Sequence, residues 1–191
     1  MRARRALALA TFLAALLLRK PLEADLVAHV LGQLPLLVLA GALIARDLID
    51  PRADWNRGGV AALLAAGFMA AFWMLPRTID AALNGRSMEA AKFIMMPALG
   101  MALATGWTRA APLLRAFLKA QAVSMCGVLA FLYSHAPVRL CNFYLVDDQI
   151  RLGYAFLFLV PALVVLWVEP LFRGETARDL PRPPRMREAG N

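Results

Sequence analysis

The sequence predicts an all-α protein, a polytopic transmembrane helix bundle of about six spans. Three observations predict it. Of 191 residues, 61% are apolar, where a soluble domain has about 45–50%. Only 18% are charged, against roughly 25% in a soluble domain. The mean hydropathy is +0.60. A soluble enzyme cannot keep a polar skin with so few charges. Cys126 and Cys141 are the only cysteines, too few for a disulfide framework. The net charge of +8 does not point to nucleic acid, because the charges fall between apolar runs as those of membrane loops do. No ten-residue alternating strands repeat, so helices are the spanning option.

The first apolar run, residues 6–18, follows Arg2, Arg4 and Arg5 and precedes Arg19, Lys20 and Pro21. Its basic start resembles a signal peptide, but no small-x-small cleavage site follows. An uncleaved span near 6–22, lengthened by snorkelling arginines, is the preferred reading. The second span, 26–45, is long enough to cross on its own. The third, 58–75, carries Ala62, Ala66 and Ala70 at four-residue spacing, a stripe for close helix contact. The fourth, 90–108, needs the turn around Glu89 and Lys92 to reach full length. The fifth is 116–133 and the sixth 152–168. Pro35, Pro97 and Pro161 are compatible with membrane helices, where neighbours satisfy the freed carbonyls. Residues 1–172 thus form the transmembrane domain, and the arginine- and proline-rich 173–191 reads as a disordered cytoplasmic tail.

Lysine and arginine placement orients the bundle. Alternate loops divide these residues fourteen to seven, the larger share lying at both termini and in loops 46–57 and 108–119. Both termini are therefore expected in the cytoplasm. Arginine outnumbers lysine eighteen to three, a compositional hint of a bacterial genome and hence of a bacterial inner membrane.

That topology gathers the soft and titratable residues on the outer side. Asp25 and His29 lie at the outer end of the second span, Met74 and Asp80 at that of the third. Met88, Glu89, Lys92, Met95 and Met96 lie at that of the fourth. His135, Cys141, Asp147, Asp148 and Gln149 fall in the last outer loop. His29, Met74, Met88, Met95, Met96 and His135 are the candidate metal ligands. Asp25, Asp80, Glu89, Lys92, Asp148 and Gln149 are their candidate supports. Thioethers and imidazoles suit Cu(I) better than hard cations. Each residue also has a plainer reading. His29 can be a packing histidine, and the methionines can be core. Glu89 and Lys92, three apart, can be a local ion pair, and an aspartate can cap the last helix. No Cys-x-x-Cys, His-x-x-x-His or Met-x-x-Met repeat is present.

Three stretches resemble the CtaG-type cytochrome c oxidase assembly factors. Trp73-Met74-Leu75-Pro76 with Asp80-Ala81-Ala82-Leu83 looks like the family's Trp-His-x-Pro and Asp-x-Ala-Leu. Met88-Glu89-Ala90-Ala91-Lys92 takes the place of His-x-x-Glu-His. Asp148-Gln149-Ile150-Arg151-Leu152-Gly153, with the later Pro161, is similar to Asp-Gln-x-x-x-Gly and its downstream proline. Around His29, Asp25 or Gln33 stands where the family has a second histidine. Met74, Met88 and Lys92 stand at expected histidines, and the glutamate of the five-residue motif is displaced.

The resemblance covers about residues 23–170. It implies a non-enzymatic accessory or assembly factor for a copper-containing respiratory oxidase, handling Cu(I) at its outer face with terminal-oxidase subunits as partners. A metal-free structural subunit of a respiratory or redox complex is the alternative, favoured by the replaced histidines. A small transporter, an intramembrane enzyme and haem ligation by His29 and His135 have weaker sequence support. The ionisable residues sit at helix ends, and adjacent Ser134 and His135 do not make a catalytic pair.

Overall fold

The computed structural model describes residues 2–49, 54–135 and 143–172. Every regular element among them is helical. In chain order they are α1 (Arg2–Leu17), α2 (Arg19–Ala24), a π-helical turn (Ala28–Gln33) running into α3 (Leu34–Leu48), and a 3-10 turn (Asp54–Gly59). Then come α4 (Val60–Trp73), α5 (Pro76–Asn84), α6 (Arg86–Arg109), α7 (Pro112–His135) and α8 (Val146–Phe172).

Four helices are long and apolar enough to cross a membrane: Ala28–Leu48, Arg86–Arg109, Pro112–His135 and Val146–Glu169. A fifth crossing results if α4 and α5 count as one bent span. The sequence reading of about six is therefore supported only as a helical membrane bundle. The difference has local causes. The expected third span stops at Trp73 because Leu75 precedes a proline and is driven out of the helical region, to φ −70° and ψ 125°. The chain turns there by 72° into α5. The expected first span ends at Leu17, and a turn at Leu18 starts the separate six-residue α2.

Two helix starts have a capping aspartate that explains them. Asp25 ends α2 in extended geometry, and its Oδ1 accepts the Ala28 N–H at 2.9 Å, capping the next helix. Pro35, the second residue of α3, has no N–H to give, and the π turn ends two residues before it. Within that turn the Leu34 N–H reaches five residues back to the His29 carbonyl. At the start of α8, Asp148 Oδ2 accepts the Leu145 N–H at 3.2 Å, the reach-back half of a capping box.

The bundle has two apolar centres. Trp73, Leu34, Leu37, Ala15, Ala82 and Met96 join α1, α3, α4, α5 and α6. Leu26, Val30, Ile79, Leu129, Tyr133, Leu152 and Phe156 hold the α7–α8 pair against the rest. Helix α3 packs most extensively on α6, and α7 on α8. Ala62 and Ala66 are buried on the face of α4 that meets α6, as the small-residue stripe requires. Outward, Phe68, Ile94, Leu113, Phe131 and Phe158 are each more than 60% exposed, and lipid is the solvent that tolerates such a surface.

The ends of the bundle group as alternating loops require. Arg4 and Arg5 both bind Asp47 at the close of α3, at 2.6 and 2.9 Å. At the other end Arg19 binds Glu89, Arg151 lies 3.2 Å from Asp25, and the Phe143 N–H donates to Asp80. Helix α1 thus runs antiparallel to α3 along nearly its whole length.

Candidate functional site

At the end of the bundle holding α2, five segments deliver polar groups to one point. Lys92, in the second turn of α6, has a fully buried side chain. Its Nζ lies 2.5 Å from Glu23 Oε1 of α2, 3.0 Å from Gln33 Oε1, and 3.5 Å from His29 Nε2. An ammonium has three protons and no acceptor, and here three acceptors surround it. The Gln33 amide then donates to the Ala15 carbonyl at 3.1 Å and to Glu23 Oε1 at 3.3 Å.

Tyr144, just before α8, completes the network. Its hydroxyl donates to the Glu23 carbonyl at 2.7 Å, which uses its one proton. His29 Nδ1 lies 3.1 Å from the same oxygen, so Nδ1 must be the donor there. The Nε2 lone pair then faces the Lys92 ammonium, and every orientation is mutually consistent. His29 and Gln33, four residues apart in the π turn, are 1% and 0% exposed. That turn carries both toward Lys92.

The arrangement buries the Lys92 ammonium against a partly exposed Glu23 carboxylate and ties α1, α2, the π turn, α6 and the entry to α8. Among the described residues its polar groups pair with one another, and that chemistry is structural and electrostatic. Tyr144→Phe removes one donor and the hydroxyl acceptor that faces His29 Nδ1. It should destabilise the protein by about 1–2 kcal/mol, read as a lower melting temperature in detergent, and alter the His29 nitrogen shifts. An unchanged His29 spectrum would show that the tyrosine does not set the tautomer.

The remaining expected site residues go elsewhere. Met74 ends α4 and packs half-buried on the α7–α8 cluster, whereas Met88, Met95 and Met96 pack with the Trp73 cluster. His135, at the exposed end of α7, stacks on Phe131 at 4.6 Å and bonds Ser134 Oγ at 2.7 Å. Ser134 is itself 2.6 Å from the Ala130 carbonyl. The two histidines therefore sit in unrelated surroundings, and the arrangement does not support joint haem ligation. Asp25 caps a helix and pairs with Arg151 instead of orienting His29. Glu89 binds Arg19 instead of Lys92. Asp80 and Asp148 hold backbone N–H groups of the segment before α8. Gln149 is buried on α8. Cys126 is a half-buried free thiol beside the α7–α8 cluster. Cys141 and residues 173–191 lie outside the described residues.

These donors do not fit a Cu(I) site. Both imidazole nitrogens of His29 are engaged, one facing a cation, and the thioethers divide between two packing clusters. Among the described residues no group of three or more His, Cys, Asp or Glu side chains is placed to hold a metal ion. Sequence reading missed Glu23, which lies 69 positions from Lys92, and Tyr144, which lies 115 positions from His29. A glutamate at the edge of an apolar run was the one available signal.

Comparison with known proteins adds no relative: no family model, no curated protein and no solved structure matches this chain.

Proposed function

We propose that this chain is a non-enzymatic accessory or assembly factor for a copper-containing respiratory oxidase, working through helix packing and without copper at its polar centre. The observation that carries the reading is Lys92. It stands where the CtaG-type resemblance expects a histidine, and its ammonium is surrounded by Glu23, Gln33 and His29. The chain's own cation takes the place of a bound one. In the same reading the protein lies in a bacterial inner membrane with both termini cytoplasmic. Helix α1, antiparallel to α3, makes the sixth crossing.

Cu(I) handling at the outer face is the rival reading, supported by the same resemblance and by the methionines of α6. Metal analysis of protein purified under reducing conditions separates the two. The expected result is copper at background in wild type, His29→Ala and Met88→Ala alike, with oxidase subunits co-purifying from the native membrane. Stoichiometric copper that falls in His29→Ala would establish the rival. A solitary protein with neither copper nor oxidase subunits would overturn both.

A further inference from the structure

At the end opposite Lys92, helices α1, α3 and α6 leave an open groove of about 500 Å³. Its walls are apolar, formed by Ala42 and Leu43 of α3 and Leu103 and Ala104 of α6. Its rim is Arg4, Arg46, Trp107 and Thr108. The lining therefore passes from hydrocarbon to two guanidiniums, an indole and a hydroxyl at the ends of two candidate spans.

The charge at the rim is unbalanced. Arg4 and Arg5 share the single carboxylate of Asp47. Arg46 is exposed and makes no ion pair among the described residues. Among the described residues of the rim, three guanidiniums thus face the one carboxylate of Asp47. Arg4 Nε is also shielded from solvent without a hydrogen-bond acceptor. A shielded donor costs free energy until an acceptor arrives.

We infer that this groove binds an anionic phospholipid, its phosphate between Arg4 and Arg46 and one acyl chain along Leu43 and Leu103. Basic pockets between transmembrane helices suit acidic headgroups, and guanidiniums suit phosphate oxygens in particular. A free phosphate would use the rim and leave the apolar walls empty. Trp107 stands at the level where indoles prefer the headgroup boundary. The inference is independent of the oxidase reading, because it uses none of the residues around Lys92.

Native mass spectrometry of the full chain in detergent tests it, with phosphatidylglycerol, phosphatidylcholine of the same chains and glycerol 3-phosphate as probes. One phosphatidylglycerol per chain should be retained at least roughly fivefold better than phosphatidylcholine. Arg46→Gln should remove roughly fivefold of that affinity. Arg46 is exposed, and a melting curve equal to wild type confirms that its variant is folded. Equal retention of both lipids, or no effect of Arg46→Gln, overturns the inference. So does glycerol 3-phosphate binding as well as the lipid, which would make the groove a free-phosphate site.

Discussion

Lys92→Met should lower stability by about 3 kcal/mol and the melting temperature in detergent by roughly 10 °C. Methionine keeps the length and apolar stem of lysine, so the core loses little packing. What changes is charge. The Glu23 side chain is 18% exposed, and without Lys92 its nearest remaining donor is the Gln33 amide at 3.3 Å. His29 Nε2 and Gln33 Oε1 lose their donor at the same time. Breaking one member of a buried pair costs far more than the pair contributes, because the other charge is left behind. The double variant Lys92→Met with Glu23→Gln should therefore recover at least half of the loss. Its coupling in a double-mutant cycle should be about 1–3 kcal/mol. If the single variant melts like wild type, Glu23 is solvated without Lys92 and the network is not a structural centre.

The same cluster shows what a linear reading can see. The sequence exposes Lys92 as an ionisable residue needed inside a span, and such a residue demands partners. It also places His29 and Gln33 four apart on one helix face. The partner it suggests, Glu89, is wrong in the structure for a geometric reason. Residues three apart share a face, but Glu89 turns to Arg19 while Lys92 points inward to Glu23. The choice depends on where α2 lies, and helical periodicity carries no information about that. The bent third span was legible in principle, since Leu75 precedes a proline. Apolarity alone runs through it, because membrane helices tolerate proline elsewhere in this chain. The methionines mislead for a simpler cause. Thioethers are good packing groups as well as soft ligands, and i, i+4, i+7 spacing describes a core stripe equally well.

A backbone-to-backbone helix contact also left no mark in the apolar pattern, and it gives the second large effect. Gly41→Ala and Gly100→Ala should each destabilise the bundle by about 3 kcal/mol or more. A Cβ on Gly41 would lie 1.9 Å from the Pro97 carbonyl oxygen, and one on Gly100 would lie 1.9 Å from that of Val38. Each helix presents its backbone to the other's glycine, so no rotamer change relieves the overlap. The helices must separate. Separation loosens Leu37 and Met96, which share the core cluster beside this crossing. It also loosens α1, which leans on α3, and α4, which leans on α6. Gly41 with buried Ala45, and Gly100 with Ala104, form the small-xxx-small pairs that allow such approach in membranes. Gly59 adds a second close point. It starts α4 at φ +73°, and a Cβ there would fall 2.1 Å from the Gly106 carbonyl oxygen.

The control is Gly67→Ala. That glycine lies on α4 with nothing within 4 Å of its added Cβ, so alanine should be neutral or should stabilise by up to about 1 kcal/mol through helix propensity. The fraction remaining monodisperse on size-exclusion chromatography after graded heating separates the cases. Gly41→Ala and Gly100→Ala should aggregate well below wild type, and Gly67→Ala at or above it. If all three behave alike, α3 and α6 do not meet backbone to backbone. The crossing that fixes both the Lys92 network at one end and the arginine-rimmed groove at the other would then be wrong.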